Sequence, residues 1–159
     1  MRISKAFWIW GLFSYDEINL LDDIKFKVQS KLKSPTFDNH LTLAGPYLEI
    51  NNYFLERLEN LAENNQIINL EVKGYEFRQE LFKSFYISIN NSKDLKVLRK
   101  NIYNLNKFEL ENYSPHISLA YGNHDLNDKK KLISKLPMFT KPIKMSRLAL
   151  VDVDENKNL

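Results

Sequence analysis

The chain contains no cysteine. That excludes structural disulfides, thiolate metal sites and a cysteine nucleophile together, and it fits a reducing, cytoplasmic setting. Glycine is scarce, four residues in 159, and no low-complexity tract interrupts the sequence. No flexible linker is therefore expected, and the length suits one compact domain. No apolar run approaches the ~18 residues of a membrane span. The stretch AFWIWGLF is apolar but short and lacks a small-residue cleavage site after it, so it reads as a strand and not as a signal peptide. Charge of one sign is not abundant either: 23 Lys and Arg against 20 Asp and Glu leave +3. A nucleotide substrate tolerates that balance, whereas duplex DNA calls for a basic stripe.

What is present is an order of elements that occurs twice. Residues 4–13 are aromatic and β-branched and read as a buried strand. Ser14 and Glu17 have the spacing of a capping box, and Ile18, Leu21, Ile24, Val28 and Leu32 form an amphipathic helical stripe. A short strand at 39–44 follows, then a helix at about 51–64 with Phe54, Leu55, Leu58 and Leu61 on one face. QIINLEVKG alternates over Ile68, Leu70 and Val72 as one half-buried strand. The second half repeats this order. It has a strand at 81–90, a helix capped by Ser92 with Leu95, Leu98, Ile102 and Leu105, and a strand at 116–121. A helix at about 127–136 is stopped by Pro137, and the strand IKMSRLALVDV closes the unit. The expected division is 1–78 and 79–159, two small lobes around a shared cleft, with terminal strands open to exchange.

Two of the three histidines sit in equivalent positions of these halves. DNHLTLAG holds His40 and Thr42, YSPHISLAYG holds His116 and Ser118, and 116 − 40 = 76 matches the offset of the opening strands, 81 − 4 = 77. On a strand, residues i and i+2 share a face, so each strand offers one imidazole beside one hydroxyl. A single His-x-Thr is an ordinary half-buried strand position; a matched pair is not explained by strand patterning. Two imidazoles suit hydrolysis of a phosphodiester, which needs a base to activate water and an acid to protonate the departing oxygen. Histidine titrates near ~6.5, so one ring can be neutral while the other is protonated. Thr42 and Ser118 can donate to the non-bridging oxygens, and no metal is required.

These residues resemble the signature of the two-histidine (2H) phosphoesterase superfamily, with its two H-x-[ST]-x motifs, along nearly the whole chain. WIWG, PTFDNHLTL, YSPHISLAYG and RLALVDVD are most similar to the cyclic phosphodiesterase and 2′-5′ RNA ligase-like group. The resemblance implies an α+β fold of two pseudo-symmetric antiparallel-sheet lobes with outer helices around a central cleft. It makes His40 and His116 the catalytic pair, of open acid and base roles, and Thr42 and Ser118 the phosphate ligands. It further suggests Tyr113 as a cleft-lining residue and Phe82, on the strand at 81–90, as an aromatic contact to the base, with Trp10 at the cleft edge. Asn39 stands where the group has proline, which is expected to loosen that turn. The chain ends at DENKNL where relatives commonly continue into a further edge strand.

The implied activity is a metal-independent phosphodiesterase acting on a cyclic phosphate of ribose, either a 2′,3′-cyclic nucleotide or ADP-ribose 1″,2″-cyclic phosphate. The alternatives are a 2′,5′-oligoadenylate or RNA 3′-end phosphodiesterase with the same site, and a non-catalytic RNA- or nucleotide-binding module. No cofactor is implied. The expected partner is a cyclic nucleotide, a short oligonucleotide or an RNA end, with no duplex DNA and no membrane, and the protein is expected to be a monomer. His124 would need His116 and Asp125 or Asp128 to build a metal site, but it lies in the turn-rich GNHDLND, so no metal ligand is assigned. Lys129, Lys130 and Lys131 read as a solvated face that could steer a polyanion.

Overall fold

The computed structural model describes residues 5–154. The aromatic opening run forms β1 (Lys5–Phe13), and α1 (Tyr15–Gln29) buries Leu21, Ile24 and Val28. The expected capping box is not formed: Ser14 is extended, but its side chain makes no cap hydrogen bond. Asp16 and Glu17 instead place negative charge at the positive end of the helix. The helix stops at Gln29, so Leu32 reaches the core from the turn beyond it. Next come β2 (Leu41–Tyr47) and α2 (Asn52–Glu63), whose first turn is capped by Asn51 accepting from the Phe54 amide at 2.9 Å.

QIINLEVKG is not one strand. It breaks at Glu71 into β3 (Ile68–Leu70) and β4 (Val72–Phe77), which pair with different partners. The strand expected from residue 81 begins only at Phe85, as β5 (Phe85–Ile89). Residues 78–84 are a turn closed by the Arg78 amide donating to the Ser84 carbonyl at 3.1 Å, so Phe82 lies on a loop. The chain continues with α3 (Lys93–Leu105), β6 (His116–Ala120), α4 (Leu126–Ile133) and β7 (Ile143–Asp154). The helix α4 ends at Ile133, with Ser134 as its C-cap, short of the end at 136 expected from Pro137. Among the described residues no helix is long and apolar enough to cross a membrane.

The seven strands form one antiparallel sheet in the order β3-β7-β1-β2-β6-β5-β4. Equivalent strands of the two halves meet at its centre, where β2 and β6 pair at the single position Leu41↔Ile117. They meet again at the far side, where Asn69 of β3 pairs with Lys144 of β7. The offsets, 117 − 41 = 76 and 144 − 69 = 75, match the spacing of the histidines, so a pseudo-twofold axis passes through both pairings. The fourth strand ends the first half in sequence but lies beside β5, while β7 ends the second half and lies beside β1. Because β3 and β4 are joined through Glu71 alone, one stretch of chain supplies both edges of the sheet. All four helices pack apolar residues into one continuous core that includes Leu41 and Ile117.

Candidate active site

Leu41 and Ile117 are both fully buried, which turns their neighbours to the other face of the sheet. His40 and Thr42 flank Leu41, and His116 and Ser118 flank Ile117, so the two motifs meet at this one pairing. The two rings are near enough for the charge of His116 to act on His40. His40 itself is the residue before β2, in the turn and not on the strand as expected, and is 9% exposed. Having a single register pair, β2 and β6 share little backbone, which leaves room between the motifs.

The two imidazoles are held in the same way. His40 Nδ1 lies 2.8 Å from the Asp38 carbonyl, and His116 Nδ1 lies 2.8 Å from the Ser114 carbonyl. A carbonyl only accepts, so Nδ1 carries the proton in each ring and Nε2 is left for other chemistry. Each imidazole also carries an aromatic side chain from the flanking strand. Trp10 stacks on His40 with centroids 3.6 Å apart and planes at 12°. Tyr86 meets His116 edge to face at 5.2 Å. Trp10 is in register with Thr42 and Tyr86 with Ser118. Tyr86 was not singled out in the sequence, yet the repeat points to it: 86 − 10 = 76, the offset of the histidines.

Burial lowers the pKa of His40 to about 4; its hydrogen bond to Asp38 opposes this, and the charges of His116 and Lys25 add to it. The nearby His116 is also lowered, first by burial and then by Lys83 and Arg78, against the raising effect of its Ser114 hydrogen bond. Both rings are therefore biased toward the neutral form, with Lys25 acting on His40 and Lys83 and Arg78 on His116. Lys83 donates to Ser114 Oγ at 2.9 Å and its ammonium sits 5.1 Å from the Tyr86 ring. Lys25 is buried, donates to the Phe37 carbonyl, and lies 4.0 Å from an Asp22 carboxylate oxygen.

The other sequence-derived residues distribute as follows. Thr42 is half-buried and Ser118 buried, each on its expected motif. The Tyr113 hydroxyl is engaged away from any ligand, donating to the Thr42 carbonyl at 2.6 Å, and its ring is covered by the Arg99 guanidinium at 3.5 Å. Phe82 touches the edge of Tyr121, with centroids 5.3 Å apart. Tyr121 was missed: its ring stacks on Phe37 with centroids 4.1 Å apart, and burial pushes its pKa up to about 12. Asn39 does not loosen its turn, because its Nδ2 donates to Asp22 of α1 at 2.6 Å. The side chain of Lys129 is not solvated but fully buried, donating to the Arg78 carbonyl at 2.9 Å, whereas Lys130 and Lys131 are exposed. His124 donates through Nε2 to the Tyr121 carbonyl at 2.9 Å, and no group of three or more metal-ligating side chains occurs among the described residues.

A family model described as the 2′-5′ RNA ligase superfamily matches residues 31–157. No curated protein matches the chain in sequence. Among solved structures, E. coli LigT complexed with 3′-AMP superposes with a TM-score of 0.56 at 12% identity, over 94% of this chain and 88% of that one. A crystal structure of a phosphoesterase gives 0.53 at 14% identity, over 93% and 88%. E. coli LigT complexed with phosphate gives 0.52 at 11%, over 94% of both chains. At those identities the likeness is one of fold, the same α+β arrangement. The sequence match covers 157 − 31 + 1 = 127 of 159 residues and takes in both histidine motifs, and the chain belongs to the 2′-5′ RNA ligase superfamily of 2H phosphoesterases.

Proposed function

We propose that this protein is a phosphodiesterase that opens a cyclic phosphate on ribose, in a 2′,3′-cyclic nucleotide or in ADP-ribose 1″,2″-cyclic phosphate. One observation carries this reading. Two imidazoles, each fixed through Nδ1 to the carbonyl two residues earlier, share one sheet face with two hydroxyls. The similar E. coli LigT is seen with 3′-AMP and with phosphate, and a nucleotide phosphate suits this cleft by its charge.

His40, the more deeply buried ring, is neutral at physiological pH and acts as the base. Its Nε2 takes a proton from water as the water oxygen bonds to phosphorus. The phosphorus–oxygen bond to one ribose oxygen breaks, and that oxygen takes the proton from Nε2 of His116. The substrate's negative charge raises the pKa of His116 and so loads it with this proton. Thr42 and Ser118 donate to the non-bridging oxygens, where charge builds in the transition state. Solvent then removes the proton from His40 and restores that of His116. Water is activated by an imidazole, so the reaction calls for no metal.

The test is turnover of cyclic phosphates in EDTA. His40→Ala and His116→Ala should each lose about 10²–10⁴-fold in kcat with unchanged circular dichroism, the usual share of one acid or base. Activity within tenfold of wild type in either variant would sink the assignment. Tight binding without product in the wild type would replace it with a non-catalytic nucleotide-binding module, and a substrate panel separates it from 2′,5′-oligoadenylate or RNA 3′-end cleavage by the same four residues.

A further inference from the structure

Ser114 is held from two sides. Its carbonyl accepts from His116 Nδ1 at 2.8 Å, and its Oγ accepts from the Lys83 ammonium at 2.9 Å. The same ammonium stands 5.1 Å from the centroid of the Tyr86 ring, whose edge meets the His116 ring at 5.2 Å. One lysine therefore touches both groups against which the His116 imidazole rests. Its charge reaches the ring as well. Burial lowers the pKa of His116 most, and Lys83 and Arg78 lower it further, against the Ser114 hydrogen bond and Glu80.

The turn that carries Lys83 is fastened. It is closed by the Arg78 amide donating to the Ser84 carbonyl at 3.1 Å and the Lys83 amide to the Glu80 carbonyl at 3.3 Å. Two outside groups pin it: the buried Lys129 of α4 donates to the Arg78 carbonyl at 2.9 Å, and the Gly122 amide to the Leu81 carbonyl at 2.8 Å. Lys83 is half-buried, unlike the exposed Lys130 and Lys131. The first half holds its histidine with a similar device. Buried Lys25 donates to the Phe37 carbonyl, one residue before the Asp38 carbonyl that accepts from His40, and its ammonium lies 5.0 Å over the Phe37 ring. The two lysines are 83 − 25 = 58 residues apart, against 76 for the histidines, so the repeat does not account for the likeness.

We infer that Lys83 is a positioning residue for His116, holding Ser114 and Tyr86 so that the imidazole keeps its proton on Nδ1 and presents Nε2 to the reacting phosphate. The inference rests on the proposed phosphodiesterase reading for the role of Nε2. The bond from Lys83 fixes the rotation of Ser114, and the Ser114 carbonyl fixes the ring. A rotation that swings Nε2 off the leaving oxygen breaks that chain of hydrogen bonds, and misplacement of a proton donor lowers the rate steeply. The other charged or titratable groups around the ring are Arg78 and Glu80 of the turn, Glu76 bonded to the Tyr86 hydroxyl at 3.1 Å, and His40.

Nitrogen-15 NMR of His116 reads its tautomer directly and needs no turnover. The neutral wild-type ring should carry its proton on Nδ1. Lys83→Met and Ser114→Ala should each shift it toward the Nε2 tautomer. In both, kcat on a 2′,3′-cyclic nucleotide should fall about tenfold, the worth of one hydrogen bond to a charged group, with KM nearly unchanged. Lys83→Arg keeps the charge and a donor and should restore both readouts. Lys83 is half-buried and Ser114 exposed, so neither change opens the core. In Lys83→Met/Ser114→Ala the losses should not add, because both remove the same bond. A tautomer unchanged in Lys83→Met, or additive losses, would overturn the positioning role. So would a raised KM at constant kcat, which would put Lys83 on the substrate itself. A tautomer shift in a protein that turns over no cyclic phosphate overturns the phosphodiesterase reading and leaves the hold of Lys83 on the ring intact.

Discussion

His40 and His116 make the same backbone contact, yet water reaches them unequally. Trp10 lies flat on His40, and that cover is a large part of why the ring stays neutral down to about pH 4. Tyr86 meets His116 only with an edge, and His116 stays half-exposed. Trp10→Ala should uncover one face of His40 and let its pKa climb toward the usual ~6.5. A base must be deprotonated to act, so the low-pH limb of kcat/KM should move to higher pH by about one unit or more, as should the His40 titration followed by NMR. A limb that stayed in place would belong to another group. The four motif residues were legible at this scale because their chemistry and spacing are local. Tyr121 was not, because its packing against Phe37 and Phe82 joins segments remote in sequence. Nor was Lys129, whose buried side chain delivers its ammonium to the Arg78 carbonyl.

Between elements, the first motif is braced by α3. Arg99 donates to the Leu43 carbonyl at 2.8 Å and to that of Leu110 at 3.1 Å, and carries the Tyr113 ring whose hydroxyl reaches Thr42. One guanidinium thus ties β2 to the segment that leads into β6. Tyr113→Phe removes the bond to Thr42 and should cost ~1 kcal/mol in urea denaturation while leaving the ring on Arg99. Unchanged stability would show that the hydroxyl is equally well served by water. Helices and strands were legible as periods, 3.6 or 2, with ends that shift where capping or a proline intervenes. The break at Glu71 was not, because Ile68, Leu70 and Val72 keep alternating while the partner strand changes from β7 to β5. Alternation reports which side is buried and carries no record of which strand lies alongside.

At the scale of the whole molecule, buried neutral histidine makes stability depend on pH. The pKa of His40 falls from 6.5 when unfolded to about 4 when folded, so on acidification the unfolded chain takes up the proton first. Its contribution is complete above about pH 6.5 and is lost between there and about pH 4, by up to ~3 kcal/mol, and His116 acts in the same direction. Urea midpoints at pH 7 and pH 4.5 should therefore differ less in His40→Gln than in wild type; an equal loss would place the acid sensitivity in other groups. The repeat offset of 76 announced the pseudo-twofold relation, but the exchange of β4 and β7 between the halves emerged only from pairings remote in sequence. That exchange binds the molecule into one unit. With β4 seated in the second half and β7 in the first, the connectivity is that of a domain-swapped homodimer whose two subunits share one continuous chain. The two motif histidines, His40 and His116, sit on what would be the subunit interface, one from each side. Neither half alone holds both.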